Sequence, residues 1–328
     1  MPYTHLSEQE RVCIFHQQMC GLTHAEMARR LNRHRATIGR ELKRFRRHPS
    51  WPAYRQYFPD GADRLARETR RRQRGFRWTA HRPLLAYVLR KLRLEWSPEQ
   101  IAGRLARDFV SDKQMRVSPP GIYRYIQVDR QKGGSLWKRL RQSHKLRRKP
   151  YGTGPRRCRI PDRVGIEQRP PAVENRKQIG HWEADTMLAR NGRLATCVER
   201  KSRYVLIARL PDGKALQFNA AALRCFKRIP PRWRKTITTD NGSEFVEHKK
   251  LGSCLGFKTF FANPYSSWER GTNENTNGLI RQYVARKTDL STFSYQRVAR
   301  IAAKLNNRPR KCLAYRTPAE VLGPVLRF

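Results

Sequence analysis

The sequence lacks any long apolar stretch. Its longest continuous apolar run covers residues 84–89, LLAYVL, whereas a membrane-spanning helix needs roughly 20 such residues. The amino terminus, MPYTHLSEQERV, also lacks the apolar segment of a secretory signal peptide. The sequence therefore predicts a cytoplasmic protein that does not insert into a membrane.

Cysteine pairs and clusters are also missing. The seven cysteines are scattered, odd in number and never spaced as Cys-x-x-Cys. A structural zinc site would need clustered cysteine and histidine, and the nine histidines do not provide it. We therefore expect reduced thiols and no zinc.

Acidic residues are scarce beside basic ones. Asp and Glu total 26 against 71 Lys and Arg, which gives a formal net charge of +45. Such an excess of one sign repels itself in a compact chain, and a polyanion relieves the repulsion. DNA or RNA is the natural partner, because phosphate contacts supply affinity that does not depend on base sequence. A membrane surface is the weaker alternative.

Two capping-box patterns stand near the amino terminus. Ser7 with Glu10, and Thr23 with Glu26, have the spacing that begins a helix. A third, Arg-rich helix follows after another tight turn. Three short helices of this kind predict a helix-turn-helix domain over residues 1–50.

The third helix carries candidate DNA contacts. Ile38 and Leu42 are four residues apart and should face the core. Its polar side chains can then reach bases or phosphates, and the candidates are Arg35, Thr37, Arg40 and Arg44. A small helical bundle with a solvated basic face is the alternative.

The middle of the chain divides into three predicted segments. Residues 51–95 are read as a basic helical connector, and residues 129–178 as a basic linker that mixes charge, Gly and Pro. Between them, Ser-Pro helix starts predict a second helix-turn-helix over 96–128, with Tyr123 and Arg124 as candidate contacts. A purely structural hinge domain explains that segment equally well.

Residues 179–328 alternate strand-like and helix-like segments, which predicts an α/β domain with a mixed sheet. Strands are expected at 181–188, 195–200, 204–210, 235–240 and 258–262. A long helix is expected at 267–287, begun by a capping box of Ser266 and Glu269. Three tryptophans are expected in the core: Trp182, Trp233 and Trp268.

Three acids in this domain are candidates for catalysis. Asp185 lies on the polar face of the first strand, Asp240 ends a β-branched run, and Glu274 projects from the last long helix. Each has an ordinary explanation by itself: a solvated strand residue, turn chemistry in Asp-Asn-Gly, and a helix surface acid. Glu183, two positions before Asp185 on the same face, competes for its role.

The order and spacing of these acids resemble the Asp-Asp-Glu triad of DDE transposases and retroviral integrases. Asp240 follows Asp185 by 55 positions, and Glu274 follows Asp240 by 34. The words HWEADT, TTDNGSEF and PYSSWERGTNENTNGLIRQY resemble more narrowly the bacterial insertion-sequence transposases of the "IS thirty" type, and this resemblance runs nearly end to end.

The resemblance implies a ribonuclease-H-like catalytic domain behind helix-turn-helix domains, in a nucleoid-associated bacterial protein. It implies a DNA transposase that binds terminal inverted repeats and then cuts and joins strands as a homodimer or larger synaptic assembly. Two Mg²⁺ ions, replaceable by Mn²⁺, would be held by Asp185, Asp240 and Glu274. Arg281 is expected to contact DNA near these acids, and Asn275 is a further candidate for that contact.

Three other functions remain as alternatives. A catalytically silent DNA-binding regulator would keep the fold, although an altered triad residue would be expected there and none is altered. A ribonuclease-H-like nuclease would not need two sequence-reading modules. A nucleic-acid packaging protein would account for the charge but not for the acids.

Overall fold

The computed structural model describes residues 5–46, 57–73, 76–141, 160–264 and 266–323. These residues form two compact units that divide at residue 77. The first residues of the predicted connector, 51–56, and much of the predicted linker, 142–159, lie outside the described residues.

The first unit is a bundle of four helices: α1 (Glu8–Met19), α2 (His24–Arg30), α3 (Arg35–Arg46) and α4 (Pro59–Gln73). Both predicted capping boxes form, at Ser7 and at Thr23. Ile38 and Leu42 of α3 are buried, as predicted. The bundle is closed by α4, which packs on α1 and α3 although the sequence placed it in the connector.

A buried arginine ties these helices together. The guanidinium of Arg11 in α1 donates to the carboxylate of Glu41 in α3 at 2.7 Å. It also donates to the carboxylate of Asp63 in α4 at 2.9 Å. Because a buried charge needs its partners, this group fixes how the three helices meet.

The second unit begins with another helical layer: α5 (Arg82–Arg93), α6 (Pro98–Asp108) and α7 (Pro119–Gln131). Both predicted Ser-Pro helix starts form: α6 begins with a capping box at Ser97, and α7 begins at a Ser118 cap. The three helices share one apolar core, so α5 belongs with the two helices that follow it.

A five-stranded sheet lies at the centre of the second unit. Its strands are β1 (His181–Ala189), β2 (Gly192–Glu199), β3 (Val205–Leu210), β4 (Thr236–Thr239) and β5 (Lys258–Phe261). They are ordered β3-β2-β1-β4-β5, with β1, β2 and β3 antiparallel and β4 and β5 parallel to β1. This is the mixed sheet of a ribonuclease-H-like fold, as predicted.

Helices cover both faces of this sheet: α8 (Ala215–Phe226), α9 (His248–Leu255), α10 (Gly271–Ile280), α11 (Tyr295–Asn306) and α12 (Pro318–Leu322). Trp182 and Ala184 of β1 face a core shared with α8 and α9. Met187 faces a core shared with α10 and α11. Since side chains alternate along a strand, Glu183 and Asp185 point to the α10 side.

The predicted long helix is shorter than expected and starts differently. Helix α10 ends at Ile280, and the turn that follows returns Val284 to the core that α10 shares with α11. No capping box forms at Ser266. Instead, the Glu269 carboxylate accepts a hydrogen bond from the backbone N–H of Asn263 at 2.7 Å, which closes the loop before the helix.

No helix in the described part of the chain is long and apolar enough to cross a membrane.

Candidate active site

The parallel pairing of β1 and β4 brings two of the predicted acids to one edge of the sheet. Glu183 pairs with Thr238. The same offset, two residues further along both strands, carries Asp185 to the level of Asp240. Each carboxylate also accepts a local backbone hydrogen bond, from Thr186 at 2.8 Å and from Gly242 at 3.0 Å.

Arg270 joins these two acids. Its Nη1 lies 3.6 Å from Oδ1 of Asp185, and its Nη2 donates to Oδ2 of Asp240 at 3.2 Å. The two carboxylates therefore converge on one cationic group. No local sequence pattern marks Arg270, because its contacts join three separate segments of the chain.

The surroundings of Asp185 disfavour an isolated negative charge. Burial raises its pKa to about 6, against the lowering effect of Arg270. The nearby carboxylates of Asp240 and Glu244 raise the pKa further. Glu244 is buried and accepts a hydrogen bond from the Thr186 hydroxyl, so this acid belongs to the site as well. Such a concentration of carboxylates favours cation binding.

Helix α10 carries Glu274 on the same face as a side chain that contacts Asp185. Asn277 donates from its Nδ2 to Oδ2 of Asp185 at 2.8 Å. Glu274 lies three residues earlier, on the same face of the helix, where neighbouring Cβ atoms are about 5–6 Å apart. Its side chain is exposed. Asn273 and Asn277 both anchor α10 to the sheet.

The oxygen ligands present here suit Mg²⁺, which takes carboxylates and keeps several waters. Asp185 and Asp240 fit as ligands, because their carboxylates already share the cationic Arg270. Over the described ranges, no group of three or more His, Cys, Asp or Glu side chains is placed to hold a metal ion. Glu274 therefore remains a predicted ligand beside an observed carboxylate pair.

Glu183 does not have a free carboxylate with which to compete for this role. It is fully buried, and Arg200 donates to its Oε1 at 2.9 Å. Its Oε2 accepts from the backbone N–H of Asn273 at 2.8 Å. Asp185, which is partly exposed at the sheet edge, is the better placed of the two acids.

The candidate DNA contacts lie mostly on exposed surfaces. Arg35 and Arg40 of α3 and Tyr123 and Arg124 of α7 are exposed, and Thr37 is half-buried. The side chain of Arg44 lies outside the described residues. These positions are compatible with contacts to DNA, and each contact remains a prediction.

Near Glu274, Asn275 is exposed. Arg281 lies one residue beyond the end of α10, and its Nη1 donates to the carbonyl oxygen of Leu188 at 2.9 Å. Trp268 was expected in the core, but its side chain is 74% exposed just before α10. It stands on the short turn that Glu269 closes.

Two family models match parts of the chain: a helix-turn-helix domain at residues 2–44 and an integrase core domain at residues 175–267. The catalytic core domain of BIV integrase matches 45% of this chain and 95% of its own, at 20% identity and a TM-score of 0.36.

Similarity to curated relatives extends over nearly the whole chain. It is 37% identical to transposase InsI for insertion sequence element IS30A of Escherichia coli (strain K12), over 97% of this chain and 83% of the relative. It is 36% identical to the transposase for IS1086 of Cupriavidus metallidurans, over 99% and 96%. It is 35% identical to the transposase for IS4351 of Bacteroides fragilis, over 98% and 96%.

Proposed function

The chain belongs to the IS30 family of insertion-sequence transposases, and from this premise we propose that it binds the terminal inverted repeats of its own element. At those ends it cuts and joins DNA strands by two-metal DDE chemistry. The observation that carries the proposal is the meeting of Asp185 and Asp240 at one sheet edge, with α10 and Glu274 tied to Asp185 through Asn277.

Each acid has a distinct position in this proposal. Asp185, which contacts both Arg270 and Asn277, would be the ligand common to the two ions. Asp240 would hold one ion from the end of β4, and Glu274 the other from the first turns of α10. When bound, two Mg²⁺ ions would activate the attacking hydroxyl, neutralise the phosphoryl oxygens and stabilise the leaving oxygen.

The remaining residues of the site act on charge and geometry. Arg270 limits the repulsion between the two aspartates, and Asn277 fixes the orientation of the Asp185 carboxylate. Arg281 and Asn275 lie near Glu274 as candidate contacts for the DNA end. The first helical bundle, through α3, would select the inverted repeat, and a dimer or larger assembly would bring two ends together.

Cleavage of labelled DNA that carries the element's own ends tests this function. Asp240→Asn and Glu274→Gln should bind the ends like the wild type but cut at least about a hundredfold more slowly with Mg²⁺ or Mn²⁺, because each loses a charged ligand. Asp212→Asn, an acid in the turn before α8, is the matched control and should cut normally.

Two results would contradict the proposal. If both variants cut as fast as the wild type, the triad assignment is wrong. If the wild type binds the ends specifically and never cuts, the chain acts as a DNA-binding regulator.

A further inference from the structure

A chain of buried ion pairs lies behind the candidate site. Arg200 donates to Glu183 at 2.9 Å and to Glu174 at 3.2 Å, and Glu174 also accepts from Arg169. The side chains of Arg169 and Arg200 are each 3% exposed, and that of Glu183 is fully buried. Only Glu174 reaches solvent, with 64% of its side chain exposed.

These linked ion pairs contact the strand or helix that carries each candidate acid. Glu183 precedes Asp185 by two residues in β1. Its Oε2 accepts from the N–H of Asn273, the residue directly before Glu274. At the other end, Arg169 donates from Nη1 to the Thr238 hydroxyl at 3.0 Å, two residues before Asp240. One connected group therefore contacts β1, β4 and α10 next to their acids.

Helix α10 depends on this group because it is weak by itself. Its sequence, GTNENTNGLI, is rich in Asn, Thr and Gly, which favour helices poorly. No side chain of its own caps the first turn. The carboxylate of Glu183 instead satisfies a first-turn N–H and places negative charge at the positive end of the helix.

A contribution to stability does not by itself explain these linked ion pairs. Replacing a buried ion pair with apolar residues of similar size is often neutral or stabilising. What ion pairs of this kind supply is a fixed geometry, since each partner must keep its place or leave a buried charge alone. Groups that orient metal ligands from behind typically change metal affinity or activity by 10- to 100-fold when they are altered.

We infer that Glu183 and Arg200 are positioning residues that hold Asp185, Asp240 and Glu274 in the relative places that metal binding requires. This inference rests on the proposed function of the same site. Glu183 acts through the start of α10. Arg200 acts by holding the Glu183 carboxylate in place and by linking it to Glu174, which in turn pairs with Arg169.

The test compares Glu183→Gln with Glu199→Gln in the full chain bound to its end DNA. Glu199 is also fully buried and accepts backbone N–H groups, but from Gly180 and Ser202 and not from α10. Both changes replace a fully buried carboxylate with an amide of nearly the same size, so the comparison controls for the loss of a buried acid as such. Only Glu183→Gln should disturb the site.

Three readouts separate positioning from stability. The first is hydrogen exchange of the peptide containing residues 271–280, which should accelerate in Glu183→Gln. The second is binding of Mn²⁺ by electron paramagnetic resonance, which should weaken at least about tenfold. The third is the metal concentration for half-maximal cleavage, which should rise in parallel while the affinity for DNA stays unchanged. Glu199→Gln should match the wild type in all three.

A second variant, at a more exposed position, should destabilise the fold less than Glu183→Gln does. Glu174→Gln alters the exposed member of the linked ion pairs. It should shift the same readouts in the same direction by a smaller factor. If the wild type binds Mn²⁺ and cuts DNA while Glu183→Gln and Glu174→Gln behave like Glu199→Gln, this inference is wrong by itself. If the wild type neither binds Mn²⁺ nor cuts, the proposed function and the inference fail together.

Discussion

Several ionisable side chains of the second unit are buried or partly buried near the edge of the sheet. Arg270, Arg200 and Arg169 each pair with carboxylates at or behind the sheet edge. His181 lies among them at the start of β1, where its Nδ1 is 2.9 Å from the Thr236 hydroxyl. Burial lowers the pKa of His181 to about 4, and the nearby charges of Lys235, Arg200 and Arg169 contribute to the lowering.

His181 should make the stability of the catalytic domain depend on pH. Histidine in an unfolded chain has a pKa near 6.5, so the unfolded chain binds a proton at this residue below about pH 6.5. In the folded protein His181 binds that proton only below about pH 4. The free energy of unfolding should therefore decrease as the pH is lowered from about 6.5 to about 4. This residue should contribute on the order of 3 kcal/mol to the decrease. His181→Gln should lack this part of the loss.

Urea unfolding of both proteins at about pH 7 and about pH 4.5 measures the difference. Carboxylates that titrate in the same window affect both proteins alike, so the difference between the two losses isolates His181. Equal losses in the wild type and in His181→Gln would contradict the assignment.

For single residues, the sequence predicted which acids belong to the site more readily than it predicted the side chains that contact them. Asp185 and Asp240 could be placed because a strand pattern and a strand end are local features. Arg270 and Glu244 could not be assigned to the site, since their contacts join residues 30 and 58 positions apart. Asn273 and Asn277 of α10 face the sheet, which only the packing shows.

Among the elements, α6 is joined closely to the end of the catalytic domain. Arg104 donates two hydrogen bonds to the Glu320 carboxylate of α12, at 2.7 and 2.6 Å. A Cβ atom on Gly103 would lie 2.4 Å from the ring of Tyr315, so only glycine allows this approach. The helical layer and the sheet domain therefore pack as one unit.

Gly103→Ala should destabilise this joint. The added methyl group has no room beside Tyr315, and overpacking of this kind costs about 1–3 kcal/mol. Gly39→Ala in α3 is the matched control, since its nearest neighbour is 4.0 Å away and alanine favours a helix. Thermal unfolding should show a lower midpoint for the first and an equal or higher midpoint for the second. An unchanged midpoint in Gly103→Ala would show that the joint is loose.

The elements were predictable where periodicity and caps were strong. Both amino-terminal capping boxes and all five strands appear close to their predicted places. The last long helix was overestimated because an apolar pattern continues past Ile280, while the chain itself turns there. Ser266 and Glu269 have capping-box spacing, yet Glu269 bonds to Asn263 upstream, a choice that spacing cannot reveal.

The whole molecule carries a formal net charge of +45, which suits a chain that must hold DNA firmly. Such binding should weaken steeply with salt, because each phosphate contact releases counterions. The charge does not choose between DNA sequences. We expect that choice to come from α3, whose Arg35 and Arg40 side chains are exposed.

Changing Arg35 and Arg40 together to alanine should reduce discrimination between the inverted repeat and a scrambled DNA by about 10- to 100-fold. Binding to scrambled DNA should stay steeply salt-dependent, because most of the basic residues remain. Gel-shift titrations over a range of salt concentrations measure both quantities. A variant that loses affinity for both DNAs equally would show that α3 contacts phosphates only.

Under the proposed function the converging carboxylates bind a catalytic metal, and replacing a ligand oxygen with sulfur is a direct test of that binding. Mg²⁺ takes oxygen ligands, whereas Mn²⁺ accepts sulfur more readily. Asp240→Cys should therefore lose cleavage with Mg²⁺ and regain part of it with Mn²⁺, while Asp212→Cys cuts normally with both ions. Full activity of Asp240→Cys with Mg²⁺ would contradict the account, because Asp240 could then not be a metal ligand.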